Sequence, residues 1–312
     1  MSHFPKWLML VLCWTLLAAC KQDSATQTEE KTMEIPEDFD VQGHRGARGL
    51  LPENTIPSFE KALDLGANTL ELDLVVSADD QVIVSHEPWF SPEFCSLPSG
   101  ESLPEDSKEI HNIYQLNYEA IKAYDCGSKG HPKFPEQVAL KAHKPSLKDM
   151  LVHIENYAEE KGYPAPRYNM EIKARPNWDD QFTPAPERFV DLVLAVVRQM
   201  EVGERSVIQS FDPRILEAIY QKAPNQVTAY LVSNNKTVQQ NLELLSYVPK
   251  IYSPNYLFLT PRDMQDARAQ NMKVIPWTVN DVEDMKKQIL LGVDGIITDY
   301  PDRLLQLIAE NK

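Results

Sequence analysis

Two histidines, an arginine, a lysine and three carboxylates stand at the ends of short apolar runs in this chain. They fall in Gly43-His44-Arg45-Gly46, Glu71-Leu72-Asp73, Ser85-His86-Glu87 and Glu171-Ile172-Lys173. Residues two apart in a strand share a face, so Glu71 and Asp73 point together, as do Glu171 and Lys173. Burying an unpaired carboxylate is very costly, so such a group binds a cation or makes a salt bridge. Glu71, Asp73 and Glu171 suit a hard divalent cation, Ca2+ or Mg2+, with positions open for water or substrate. A salt-bridge network with Arg45 and Lys173 is the alternative. Of the two imidazoles, His44 and His86, one can take a proton from an attacking hydroxyl and the other can donate to a leaving alkoxide. Arg45 offers a planar fork to phosphate oxygens, and Lys173 adds a second positive charge. No Ser or Cys nucleophile accompanies the pair. These are the groups that metal-assisted attack on a phosphodiester requires.

The elements that must position them follow an alternating pattern. Short β-rich runs at Val41–His44, Thr69–Val75, Tyr168–Ile172, Ser206–Ser210, Val227–Val232, Ile251–Ser253, Lys273–Thr278 and Gly295–Thr298 alternate with amphipathic segments. Ser146, Asp212 and Asn280 are placed to cap the helices that follow them. This pattern predicts a (β/α)8 TIM barrel, whose functional residues gather at the C-terminal strand ends. No Gly-rich nucleotide-binding fingerprint follows any strand. Val82–His86 reads as an extra extended segment after the second strand. Residues 87–145 are then too long for a plain connection. They form an insertion between the second and third barrel strands, read either as a lid over the mouth or as structural decoration. His111, His131, His143 and His153 lie in that insertion or on a helix and read as solvent-facing. Trp277 either packs against substrate carbons or fills the barrel. Asp299 reads as a turn or cap residue.

Composition sets further bounds. The 312 residues are 43% hydrophobic and 25% charged, ordinary globular material sufficient for one large domain. A formal charge of -15 argues against nucleic acid as a partner. Residues 1–19 read as a signal peptide, with Lys6 before a short apolar stretch. Leu17-Ala18-Ala19-Cys20 resembles a bacterial lipobox, which would make Cys20 the lipidation site. Residues 20–39 read as a flexible tether, and 40–312 as the barrel. The chain is thus expected to be an exported, membrane-anchored lipoprotein on the periplasmic or cell-surface side of a bacterial membrane. In an oxidising compartment, Cys95 and Cys126 are expected to pair.

The motifs taken together resemble one known family. His44-Arg45-Gly46, Pro52-Glu53-Asn54-Thr55, Glu71-Leu72-Asp73, His86, Glu171-Ile172-Lys173, Gln209-Ser210-Phe211, Trp277-Thr278-Val279-Asn280 and Asp294–Asp299 are similar, in order, to the motif series of glycerophosphodiester phosphodiesterases, of a bacterial lipoprotein type. That resemblance implies a divalent cofactor on Glu71, Asp73 and Glu171, and release of sn-glycerol 3-phosphate from deacylated phospholipids. It implies acid–base work by His44 and His86, phosphate contacts from Arg45 and Lys173, and attack by the glycerol 2-hydroxyl to give a cyclic phosphate that water opens. Glu53 and Asn54 either support the metal site or, for Asn54, cap the next helix. Rival readings are a phospholipase D-like or phosphoinositide-cleaving barrel acting on intact lipid, and a non-catalytic lipoprotein that binds glycerophosphodiesters.

Overall fold

Buried apolar strands and one-sided helices alternate along the computed structural model, which describes residues 33–105 and 110–311 together with Met1 and His3. Cys20, the signal-like stretch and the tether before residue 33 lie outside the described residues. In chain order the elements are β1 (Asp40–Gly43), α1 (Ile56–Leu65), β2 (Thr69–Val76), β3 (Val82–Val84), α2 (Tyr118–Lys122), α3 (Leu147–Lys161), β4 (Arg167–Ile172), α4 (Pro186–Gln199) and β5 (Ser206–Ser210). There follow α5 (Pro213–Lys222), β6 (Val227–Val232), α6 (Val238–Leu242), β7 (Ile251–Pro254), α7 (Pro261–Ala269), β8 (Lys273–Val274), α8 (Val282–Leu291), β9 (Gly295–Thr298) and α9 (Pro301–Glu310).

Among the described residues, eight of the strands run parallel in the order β8-β7-β6-β5-β4-β2-β1-β9. Backbone bonds from Asp294 N to the Val274 carbonyl and from Ile297 N to the Pro276 carbonyl join the ends. The sheet thus closes into the expected (β/α)8 barrel. Every residue of β2 is buried, as strands covered on both faces require. Helix α4 buries Phe189, Val190, Val193, Leu194 and Val197, the spacing of one helical face. Ser146 and Asp212 cap α3 and α5 through their side chains, as the sequence suggests. Asn280 does not cap α8, because Asp281 does so by accepting from the amides of Glu283 and Asp284. The eighth strand is also shorter than its β-rich run: Pro276 has no N–H to extend a ladder. Before the barrel, Phe39 is buried, and Met33 and Ile35 pack against the core. The packed body therefore begins ahead of residue 40.

Strand β3 folds back antiparallel on the end of β2. The insertion then builds its own small core, in which Phe90, Phe94, Leu103, Ile113, Ile121 and Tyr124 pack with Val75 and Ile83. Cys95 and Cys126, 31 residues apart, form a disulfide inside it. None of the described residues of 87–145 lines the central cavity. The insertion instead braces the loops at the barrel mouth. Val138 N donates to the Leu50 carbonyl, Gln137 Nε2 donates to the Arg48 carbonyl, and the Arg48 guanidinium lies 4.5 Å from the Phe134 ring centre. On its other flank, Trp89 meets Trp178 edge-on at 5.6 Å. His131 is buried between Phe94 and Phe134, which corrects its solvent-facing reading. A histidine in a polar stretch is drawn inward there by Phe134 of its own turn and by Phe94, which is distant in sequence.

A crosslink across a loop of that length contributes about 3–4 kcal/mol in the chain-entropy model. Cys95→Ser with Cys126→Ser is expected to lower the urea midpoint and to expose 87–145 to limited proteolysis before the barrel. Unchanged stability in the double variant would contradict this role.

Candidate active site

At the C-terminal end of the barrel, strand register brings the acids together. Asp73 on β2 pairs with Glu171 on β4, and Glu71 pairs with Asn169. Ligand-capable oxygens of Glu71, Asp73 and Glu171 lie within 4.8 Å of one another, and all three residues are buried. A column of amides inside the barrel holds Glu71. Asn169 Nδ2 donates to Gln42 Oε1 and Gln209 Oε1, and Gln209 Nε2 donates to Glu71 Oε1 at 2.9 Å. Strand alternation puts these amides on the same inward face as the acids; of the three, only Gln209 falls within a family-like motif of the sequence.

The turn after β1 completes the acidic centre. Arg45 sits at φ 53°, a left-handed conformation uncommon for a side-chain-bearing residue. In this conformation its amide donates to Glu71 Oε2 at 3.0 Å, and its guanidinium reaches Glu53 Oε1 at 2.8 Å and Asp73 Oδ2 at 3.1 Å. Gly46 must be glycine: at φ +87°, a Cβ would stand 2.5 Å from Ser58 Oγ and 2.6 Å from the Ser58 backbone carbon. Asn54 donates to Asp73 Oδ2 at 2.8 Å, and Thr55 occupies the α1 cap position. Of the two readings of Asn54, support for the acids is the one observed. Lys173 follows β4, with Nζ 2.6 Å from Glu171 Oε1 and 3.6 Å from Asp73 Oδ1.

Each histidine of the site is held by a carboxylate through Nδ1. His44 Nδ1 lies 2.6 Å from Asp299 Oδ1, and His86 Nδ1 lies 2.5 Å from Glu87 Oε1. His44 Nε2 faces the acids, 3.9 Å from Glu71 Oε2. Asp299 is itself fixed, accepting from Asn280 Nδ2 while its amide donates to Asn280 Oδ1. Asp299 is therefore more than the turn residue its sequence context suggested. Its partner is 255 positions away, and only barrel closure makes them neighbours. His86 is carried beside the acids by the β2–β3 hairpin, where Ser85 N donates to the Asp73 carbonyl.

These groups line one cavity of about 620 Å³. Its walls include His44, Arg45, Glu71, His86, Glu171, Lys173 and Trp277; Asp73 lies behind Arg45 and Lys173. Trp277 shows a face to the cavity, packs against the apolar barrel interior, and donates through Nε1 to the Ser253 carbonyl. Phe211 rims the mouth, edge-on to Trp277 at 5.3 Å.

The electrostatics follow from crowding like charges in a dry place. Burial, together with Asp73 and Glu171, pushes the Glu71 carboxyl well above the usual range. Burial and Asp73 push Glu171 up to about 7 against the pull of Lys173. Burial acts the same way on Asp73, but Arg45, His86 and Lys173 outweigh it and keep its pKa well below normal. Burial also lowers both imidazoles, His86 to about 4. Asp73 Oδ1 is buried and accepts no hydrogen bond among the described residues. A hard divalent cation fits this donor set: three buried carboxylates, one with an unbonded oxygen, and two that resist ionisation unless a positive charge joins them.

A parallel barrel with a cation-competent acidic centre and two carboxylate-held imidazoles at its C-terminal mouth defines a class of barrel hydrolases for phosphate esters. The chain belongs to the glycerophosphoryl diester phosphodiesterase family, whose sequence pattern matches residues 44–303. It is 27% identical to a glycerophosphodiester phosphodiesterase of Caldanaerobacter subterraneus subsp. tengcongensis, an alignment covering 86% of this chain and 98% of that one. It is 28% identical to a protein of the same name from Bacillus subtilis over 83% of each. A solved structure from Silicibacter pomeroyi superposes with a TM-score of 0.78 at 29% identity, covering 90% of this chain and 96% of that one. An Oleispira antarctica phosphodiesterase, solved with the product sn-glycerol-3-phosphate, shares the fold at a TM-score of 0.68 and 22% identity, over 88% and 97% of the two chains.

Glu53 links this site to stability. Burial disfavours its charge, but Arg45 and Arg48 outweigh burial and hold its pKa down at about 2, from 4.5. A depressed carboxylate stabilises the fold above its unfolded pKa, and that contribution is lost as pH falls through the folded value. Folding stability is therefore expected to decline from about pH 4.5 toward pH 2. Glu53→Gln should flatten that limb and lower stability at neutral pH, as read from urea midpoints across the range. An acid limb of unchanged slope in the variant would rule Glu53 out as its source.

Proposed function

We propose that this chain hydrolyses glycerophosphodiesters to sn-glycerol 3-phosphate and an alcohol, with a divalent cation as cofactor and His44 and His86 as its proton-transfer pair. One observation carries the reading: two imidazoles, each held at Nδ1 by a carboxylate, share a cavity with three buried acids and two fixed cations.

The acids Glu71, Asp73 and Glu171 would hold the cation, Ca2+ or Mg2+, which when bound supplies Lewis acidity toward the phosphoryl oxygens. Arg45 and Lys173 stay charged against these acids and oppose the negative charge that develops on phosphorus. The glycerol 2-hydroxyl oxygen bonds to phosphorus as its proton passes to one imidazole Nε2. The bond from phosphorus to the alcohol oxygen breaks, and that oxygen takes the Nε2 proton of the other ring, which enters the step as an imidazolium held by its carboxylate. Water then opens the cyclic phosphate with the roles reversed. Asp299 and Glu87 fix the rings, so the acceptor and the donor are both oriented before substrate arrives. Trp277 offers an apolar face to the glycerol carbons. We further propose that Leu17-Ala18-Ala19-Cys20 directs export and lipidation at Cys20, which would anchor the enzyme to a bacterial membrane.

EDTA is expected to abolish hydrolysis of glycerophosphodiesters, and Ca2+ or Mg2+ to restore it; full activity in metal-free protein would refute the cofactor role. His44→Ala and His86→Ala should each lower kcat by about 10²–10⁴ while the folded far-UV signal persists. Rates within twofold of the parent would exclude the proton-transfer pair. Cys20→Ala should shift the expressed protein from the membrane fraction to the soluble fraction, and an unchanged distribution would refute the anchor.

A further inference from the structure

The cavity mouth beyond the acids carries cations with no carboxylate left to meet a positive ligand. Arg175 is an exposed lining residue just beyond Lys173, and its guanidinium makes no ion pair among the described residues. It is nevertheless positioned. Its central carbon lies 4.6 Å from the Trp178 ring centre, within cation–π range. Trp178 is buried and held edge-on by Trp89 of the insertion at 5.6 Å and by Phe182 at 6.4 Å. The insertion thus fixes the platform on which Arg175 rests.

The aromatic groups at the mouth could have suggested a cage for a quaternary ammonium, since such ligands are held by several ring faces together. Here two of the rings already have a cation of the protein beside them. Arg175 covers Trp178, and Lys173 Nζ sits 6.0 Å from the Phe211 ring centre. Trp277 remains, and one face is not a cage. The lining acids are committed as well: Asp212 is bound by Arg214 at 2.7 Å, Glu171 by Lys173, and Glu71 by Gln209 and the Arg45 amide.

We infer that this mouth receives the leaving alcohol and selects one bearing its own negative charge, such as a second phosphodiester, with Arg175 as the specificity-determining residue. This rests on the phosphodiesterase reading above and adds the class of alcohol. A cationic head group meets like charge in Arg175 and Lys173 at this mouth, whereas an anionic one meets a guanidinium already held in place.

The test uses the full chain with its divalent cation and three substrates that differ in the charge of the leaving alcohol. These are deacylated cardiolipin (anionic, with its rate halved for two equivalent diesters), glycerophosphoglycerol (neutral) and glycerophosphocholine (cationic). Parent kcat/KM should fall in that order, with about a fivefold spread or more between the extremes at low salt, the scale of one partly exposed charge pair. Added salt should narrow the spread. Arg175→Gln should bring the extremes within about twofold, and Arg175→Glu should reverse them. The ratio within one protein is insensitive to a general loss of folded enzyme. Equal rates, a preference for glycerophosphocholine, or a spread unchanged in Arg175→Gln would overturn the inference and leave the phosphodiesterase reading intact. No turnover of any of the three would overturn both.

Discussion

Three carboxylates buried side by side are the constraint around which this molecule is organised. Glu71, Asp73 and Glu171 repel one another in a place with little water to screen them. Every nearby polar feature answers that problem. Arg45 spends a left-handed backbone conformation to present both its amide and its guanidinium to them. Lys173 bridges two of them, Asn54 holds a third contact, and an interior column of amides from β1, β4 and β5 fixes Glu71. The acids that remain hardest to ionise are the ones a divalent cation would stabilise most. The same arrangement thus defines both the electrostatic tension of the fold and its cation-binding capacity.

Around that centre the imidazoles are treated alike despite unrelated origins. His44 stands at the end of the first barrel strand and is held by Asp299 from the last. His86 stands on a hairpin that no (β/α)8 barrel requires, and its neighbour Glu87 holds it. Burial favours the neutral form of both rings, while the carboxylate on Nδ1 sets each ring's orientation and offsets part of the cost of protonating it. Two carboxylate-held imidazoles on a single cavity suit the proton-transfer pair proposed for them, since in a displacement at phosphorus one oxygen loses a proton as another gains one.

The insertion acts by bracing. It supports Arg48 from beneath through Phe134 and Gln137, and Arg48 in turn shares Glu53 with Arg45. On the far side it holds Trp178, and through it Arg175. Its disulfide and its small separate core make it stiff enough for that task. The cavity-lining groups thus sit on the barrel, while the insertion packs beside them and steadies two of them.

Much of this was legible in the residues themselves. Strand alternation places Glu71 with Asp73 and Glu171 with Lys173, and the spacing of apolar runs predicts a parallel barrel, because both depend on local periodicity. The types and order of the charged groups point to a phosphodiester and a divalent cation, since few other chemistries need that set. What tertiary structure alone decided are contacts between residues that no local rule connects. Asp299 meets His44 only because the last strand closes on the first. Asn280 gives up a cap for Asp299 because Asp281 lies one residue nearer the helix. His131 leaves solvent because the distant Phe94 stacks on it. Trp89 can steady an arginine across the mouth only because the insertion folds against the β4–α4 loop. Periodicity fixes which way a side chain points from its own backbone; which group it then meets depends on how the whole chain closes.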